Sequence, residues 1–500
     1  MRLILLLFSA LLSSLARADV VLAGLFQDHV VLQRGRPVPV WGRAEPGERI
    51  TVKFEQQTAT TTVPADGHWI VYLEPLEARR EPTELIVSGS NTITVADVVV
   101  GEVWLCSGQS NMAFTVSEAN RAREEMASAR FPLIREFKVP PVVAAEPQET
   151  VGGEWKAATP ESVGRFTAVG YFFARDLHRK LGVPIGLINS SRGATPVEAW
   201  MSPAALASDP AFGAVATRWQ AILSEYPAKK SEYDLALAAW TAEAEAAKAA
   251  IRPFTKRKPM PPEGPGHAHT PSGLFNGMIN PLLPFSIRGA IWYQGEGNAV
   301  RAVEYHPLFA SMITHWRAHF GQGDFPFYWV QLANFKTADP NSGTWPLLRE
   351  AQSRTLSLPE TGQVVSIDIG NPDDIHPTNK QEVARRLALI AKAKVYGIAG
   401  DFSGPIFAEA VREKAALRVY FEHAGTGLTA RDKPLQSFEV AGEDRIFRPA
   451  VAAIDGDTLL VSAPDVRVPV AVRYAWRNSP AANLFNGAGL PASPFRSDDW

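Results

Sequence analysis

Cysteine is almost absent. One thiol, Cys106, stands in 500 residues, so no intramolecular disulfide forms and a cysteine-built structural zinc site is excluded. Inside the apolar run VWLCS it reads as a small buried residue. A surplus of positive charge is missing too. The 50 Lys and Arg are balanced by 52 Asp and Glu, for a formal net charge of −2. Nucleic-acid binding needs concentrated positive charge and is excluded on this count. The basic stretch RPFTKRKPMPPEGPG (252–266) is short and proline-rich, which predicts a solvated loop. Past the N-terminus no apolar run is long enough to cross a bilayer, and there is no internal repeat or extended low-complexity segment. No cluster of metal ligands is legible, and nothing calls for a metal or a cofactor.

What is present begins with MRLILLLFSALLSSLARA. Arg2, the apolar core 3–12 and Ala16-Arg17-Ala18 have the form of a secretory signal peptide over 1–18, cut after Ala18. The mature chain is then expected to be exported, periplasmic or secreted, and not membrane-bound. Its length allows two or three domains with substantial cores.

Residues 19–100 predict an N-terminal β-sandwich. VPVWG, ITVKF, HWIVYL and TELIVSG are short β-branched and aromatic runs, with a hairpin turn at Asp66-Gly67. Over 101–403 strand and helix alternate. The expected strands are 103–107, 184–191, 288–294, 325–334 and 363–369. The expected helices are 163–182, near 304–320, near 346–356 and from 379. Repeated βα units imply an α/β domain with a parallel sheet covered on both faces. A helical insertion interrupts it at about 205–260. Val215, Trp219, Ile222 and Tyr226, then Tyr233, Leu237 and Trp240, recur at helical spacing around Pro227, which predicts a helical hairpin. Residues 404–500 are β-rich again, and either form a second sandwich or pair with the first.

The stretch GEVWLCSGQSNMAF (101–114) ends an apolar strand at glycine and places Ser110 at a helix start. In an α/β sheet ligands bind outside the carboxyl ends of the strands, and a helix N-terminus favours developing negative charge. Ser110 is therefore a candidate nucleophile, with an ordinary N-cap serine as the plain alternative. A serine needs a base. His376, in NPDDIHPTNK (371–380), follows the last strand of the series and so reaches the same sheet edge. Thr378 with Gln381 has the form of a capping box, and Val383, Leu387 and Ile390 bury the helix behind it. Asp373 and Asp374 are both placed to orient the imidazole. Donors for an oxyanion are expected from Gly193 in SSRGATPVEAW and from the amides of Gln294 and Asn298 in WYQGEGNA. Glu296 between them is either a second general base or a carboxylate bracing the loop.

The segments GEVWLCSGQSNM, NSSRGATPVEAW, LFNGMINPLLPF, IWYQGEGNA, DDIHPTNK and VRYAWRNSPAANLFNGAGLPASPFR, in this order, resemble the sialate O-acetylesterase family, a branch of the SGNH (GDSL-like) hydrolases. The resemblance spans about 20 to 500. It implies a flavodoxin-like α/β/α three-layer sandwich and a serine esterase that removes O-acetyl groups from carbohydrates through an acyl-enzyme. It implies Ser110 as nucleophile, His376 as base, and backbone N–H groups of Ser110 and Gly193 as oxyanion donors. A third donor comes from the WYQGE segment, Gln294 first and Asn298 second. The superfamily pattern points to Asp373, the family pattern to Asp374. Two departures stand out: Ala194 where relatives carry a second glycine, and Arg192 where they often carry an aromatic. Arg192 and Glu296 are the candidates for the substrate-facing rim. The substrates in question are O-acetylated sialic acid and acetylated hemicellulose such as xylan or xyloglucan. A reading of another class is a non-catalytic carbohydrate-binding protein.

Overall fold

The computed structural model describes residues 19–339, 342–425 and 427–500. The expected signal peptide, 1–18, lies outside the described residues.

The N-terminal runs form strands as the alternation requires. Val38–Arg43 pairs with His68–Leu73, and Arg49–Phe54 pairs with Gln57–Thr62 and Arg79–Ser88. Val40, Val52, Val71 and Val87 point inward and are buried. The strand Thr92–Gly108, here β1, runs without a break through position 100. Its first half pairs antiparallel with Arg79–Ser88. Its second half lies between two parallel neighbours. One strand thus belongs to both the N-terminal β-structure and the central sheet.

The central sheet continues with β2 (Phe131–Lys138), β3 (Trp155–Ala158), β4 (Ile185–Ser191), β5 (Gly289–Tyr293), β6 (Phe327–Val330) and β7 (Thr361–Val364), in spatial order β3-β2-β4-β1-β5-β6-β7. All are parallel except the edge strand β3. β2 and β3 lie outside the series expected from apolar runs. β2 carries Arg135 and Glu136, buried and satisfied by Asp97 and by the Thr167 N–H, so it lacks a continuous apolar signature. β7 stops at Val364, short of the expected 363–369. Arg386 donates to the Val365 carbonyl and to Asp368, holding the following residues off the ladder.

Helix α1 (Ser110–Ala113) follows β1, and α2 (Ala168–Leu181) precedes β4. Downstream come α3 (Gly213–Ala249), α4 (Ala302–Phe320), α5 (Thr344–Arg354) and α6 (Lys380–Lys394). α2 and α6 cover one sheet face around Trp104, Cys106, Ile291 and Tyr328. α4 and α5 cover the other around Leu105, Ile188, Trp292 and Trp329. That second core is continuous with the interior of the N-terminal strands. Burial pushes the Cys106 thiol up, which keeps it an inert packing residue.

Two local expectations are corrected. No capping box forms at Thr378. The cap of α6 is Asn379, whose Oδ1 accepts from the Glu382 N–H, while Thr378 and Gln381 are drawn away to Asn120. Nor is there a helical hairpin: α3 is one 37-residue helix that passes through Pro227. The chain returns along it as 252–266, with Phe254 against the Trp240 ring at 5.4 Å and Trp240 Nε1 donating to the Lys256 carbonyl at 2.8 Å. The stripe is thus covered by an extended segment, whose basic residues Arg252, Lys256, Arg257 and Lys258 stay exposed, as a solvated loop requires.

In the C-terminal part, Ile406–Glu413, Ala416–Glu422, Val451–Asp455 and Thr458–Ser462 form one sheet, and Phe438–Ala441, Arg448–Pro449, Ala471–Tyr474 and Phe495–Arg496 a second. They enclose Val419, Val440, Val461 and Tyr474 in a third core, which Val365 and Ile367 of the segment after β7 also enter. Among the described residues no helix is long and apolar enough to cross a membrane.

Candidate active site

β1 is the central strand, with later strands added on both sides. A sheet whose winding changes direction leaves a crevice at that point, outside the carboxyl ends of its strands. Gly108 ends β1 at φ 127°, and a Cβ there would stand 2.4 Å from the Tyr293 carbonyl oxygen, so only glycine permits this close approach to β5. Gln109 then donates its backbone N–H to the same carbonyl at 2.9 Å. Ser110 becomes the first residue of α1, half-buried at the crevice.

His376 comes from the loop between β7 and α6, and its Nε2 lies 2.8 Å from Ser110 Oγ. The two residues are 266 positions apart in sequence. The tandem aspartates differ. Asp374 Oδ1 accepts the His376 backbone N–H at 2.8 Å and lies 3.8 Å from Nδ1 of the ring. Asp373 is turned outward, 77% exposed at its side chain, and pairs with Lys336 Nζ at 3.0 Å. Phe114 stacks on the imidazole with ring centroids 6.4 Å apart.

Opposite this pair runs the loop after β4. The Arg192 N–H donates to the Gly108 carbonyl at 3.0 Å, which draws the loop onto the serine turn. A Cβ at Gly193 would lie 3.5 Å from Ser110 Cβ. Among the described residues neither the Ser110 nor the Gly193 backbone N–H donates to a protein acceptor. Ala194 takes φ 57°, in the left-handed region that glycine adopts without a steric cost. The Arg192 side chain is exposed.

The amides resolve differently from the expectation. Gln294 is fully buried and gives its Nε2 hydrogens to the Thr195 carbonyl at 3.0 Å and to Asn298 Oδ1 at 2.8 Å, while Tyr305 donates to its Oε1. It has no hydrogen left for an oxyanion, and its work is to tie the loop after β4 to the loop after β5. Asn298 gives one Nδ2 hydrogen to Glu198 at 2.8 Å and keeps the other.

Glu296 is joined to two residues that sequence reasoning passed over. Asn111 Nδ2 donates to Glu296 Oε1 at 2.7 Å and to the Ile375 carbonyl, one residue before His376, at 3.0 Å. Lys380 Nζ donates to Asn111 Oδ1 at 2.5 Å. Lys380 is fully buried, and its ammonium lies 4.7 Å above the Phe114 ring and 5.1 Å from the Tyr293 ring. Burial lowers Lys380 to about 7, with Glu296 and Asp374 pulling the other way. Burial likewise raises Glu296, whose Oε2 has no hydrogen-bond partner. This chain of polar groups ties the serine turn, the loop after β5 and the histidine loop together. The signal for it was present as the lysine of DDIHPTNK and the asparagine of GQSNM, but a buried lysine cannot be told from a surface one by type.

A family model described as carbohydrate esterase, sialic acid-specific acetylesterase, matches residues 274–392. The chain is 30% identical to sialate O-acetylesterase of Rattus norvegicus over 99% of its own length and 97% of the relative's. It is 29% identical to sialate O-acetylesterase of Homo sapiens over 94% and 90%. The crystal structure of a carbohydrate acetylesterase from Xanthomonas citri superposes with a TM-score of 0.82 at 41% identity, covering 96% of this chain and all of that one.

Proposed function

The chain belongs to the sialate O-acetylesterase family and is a carbohydrate O-acetylesterase, and from that premise we propose that it hydrolyses sugar acetates through an acetyl-enzyme on Ser110, within a flavodoxin-like SGNH domain over about 101–403 flanked by β-domains over 19–100 and 404–500. The observation that carries this reading is the 2.8 Å contact between Ser110 Oγ and His376 Nε2 beside two uncommitted backbone N–H groups.

His376 takes the Ser110 proton as Oγ attacks the acetyl carbonyl. The tetrahedral oxyanion is held by the N–H groups of Ser110 and Gly193, with the remaining Nδ2 hydrogen of Asn298 as third donor. Collapse expels the sugar oxygen, which leaves with the proton from His376, and Ser110 keeps the acetyl group. Water, deprotonated by His376, then releases acetate and restores the serine. Asp374 orients the imidazole and balances its charge. Asp373, engaged with Lys336, has no part.

Among acetylated sugars we favour O-acetylated sialic acid, because the exposed Arg192 beside Gly193 offers its carboxylate a cation at the rim. The acetylated sugar units of xylan and xyloglucan carry no carboxylate of their own and would gain nothing from that charge. The reading is tested by acetate release from acetylated sialic acid, xylan and xyloglucan. Ser110→Ala is expected to keep the melting temperature of the parent and to abolish release from every substrate. Near-normal turnover by that variant refutes the acyl-enzyme. A preference for xylan or xyloglucan over the sialate refutes the substrate assignment alone. Export belongs to the same reading and is checked by the N-terminus of protein recovered outside the cytoplasm, expected at Asp19.

A further inference from the structure

The segment that returns along α3 ends in EGPGHAH (263–269), three residues of which converge although the sequence shows no obvious ligand cluster. One donor atom from each of Glu263, His267 and His269 lies within 4.8 Å of a donor atom from each of the others. The hydrogen bonds fix the ring tautomers. His269 Nε2 faces the Ala194 carbonyl at 2.6 Å. A carbonyl only accepts, so Nε2 carries the hydrogen, and a neutral ring then has its lone pair on Nδ1. That Nδ1 faces Glu263 Oε1 at 2.9 Å. Two lone-pair atoms at this separation need a positive species between them. His267 Nδ1 also bears a lone pair, because it accepts the His269 backbone N–H at a long 3.2 Å. The two imidazoles stand edge to face with centroids 4.5 Å apart.

From this geometry we propose that Glu263, His267 and His269 bind a divalent transition-metal ion of the zinc class. Two imidazoles and a carboxylate match the ligand softness of zinc, and three protein ligands leave a fourth position for water. The His269–Ala194 bond supplies what metal-bound histidines regularly have: the second ring nitrogen donates to a backbone carbonyl, which fixes tautomer and ring orientation. Binding displaces the proton from between His269 and Glu263 and replaces the weak His267–backbone contact. The ion would therefore clamp the segment after α3 to the loop that carries Gly193 and Ala194. The proposal needs no part of the hydrolytic mechanism.

The test uses the full chain, stripped with chelator, returned to chelator-free buffer and dialysed against zinc chloride, with metal content and thermal unfolding as readouts. The expected result is about one zinc per chain at a dissociation constant of about 10 µM or tighter, with a raised melting temperature. The same is expected of Ser110→Ala, which separates this outcome from the fate of the esterase reading. His267→Ala and Glu263→Gln leave the His269–Ala194 bond intact, and each is expected to lose at least about tenfold in affinity while unfolding cooperatively without metal. Failure of the parent to bind zinc overturns the proposal and leaves a protonated His269 paired with Glu263. Unchanged binding by both variants overturns it as well, since the ion then sits elsewhere.

Discussion

Asp373 and Asp374 are adjacent and chemically identical, yet their surroundings divide the labour. Asp374 faces the His376 ring and caps its backbone N–H, whereas Asp373 meets Lys336 in solvent. Asp374→Asn is expected to lower kcat about 10- to 100-fold, less than at a fully buried triad because the carboxylate is half-exposed, and Asp373→Asn to leave kcat within about twofold. Steady-state rates on one acetyl ester check both. Equal, mild losses would reduce the machinery to a Ser-His pair. The sequence named both aspartates and had no means of choosing, because the tight turn over Asn371–Asp374 sends one carboxylate outward and the other towards the ring.

Lys380 makes a second prediction at this scale. Its folded pKa of about 7 lies below the ordinary 10.5 because burial disfavours the charge. Between those values the unfolded chain binds a proton that the folded chain lacks, so stability from this residue rises with pH across that window. Below about pH 7 both states are protonated and the contribution is flat. Lys380→Met is expected to remove the rise, seen as a smaller gain in urea midpoint between about pH 7 and pH 9.5 than in the parent.

At the scale of elements, α3 shows how covering an apolar stripe overrides a local breaker. Proline inside a helix removes one i→i−4 bond and costs about 3 kcal/mol relative to alanine. A sequence pattern split by Pro227 therefore suggests two helices. The structure keeps one helix because the returning strap joins its half-buried aromatic stripe on both sides of the proline, with Gly264 against Tyr226 and Phe254 against Trp240. Pro227→Ala restores a donor to the Leu223 carbonyl. Amide exchange around residues 224–234 is expected to slow by at least about tenfold, and unchanged exchange would mean that the ring already costs nothing there.

At the scale of the whole molecule, β1 decides how the parts fold. It pairs with Arg79–Ser88 at one end and carries the Ser110 turn at the other. The core under α4 and α5 is shared with the N-terminal strands, Val40, Val52 and Trp292 lying in one cluster. A chain starting at 101 leaves this face uncovered and severs the strand. It is expected to be insoluble or to unfold without a cooperative transition, whereas the full chain unfolds the region from residue 19 to about 400 together. Calorimetry of the two chains makes the comparison. A soluble, cooperatively folded chain from 101 would show that the 19–100 region is an accessory.

By itself the sequence determined the order of strands and helices along most of 101–403, the serine at the end of a buried strand, the histidine before a packed helix and the family likeness that joins them. Those features are local: apolar periodicity, glycine at a tight turn and motif spacing are each read within a few residues. Tertiary structure alone decided which aspartate faces the imidazole, that Gln294 spends its hydrogens inside the protein, that Asn111 and Lys380 brace the site, and that Glu263 meets two histidines. Each of these depends on where side chains from distant segments converge and on which buried polar groups satisfy one another. Those are properties of packing, and no periodicity along the chain encodes them.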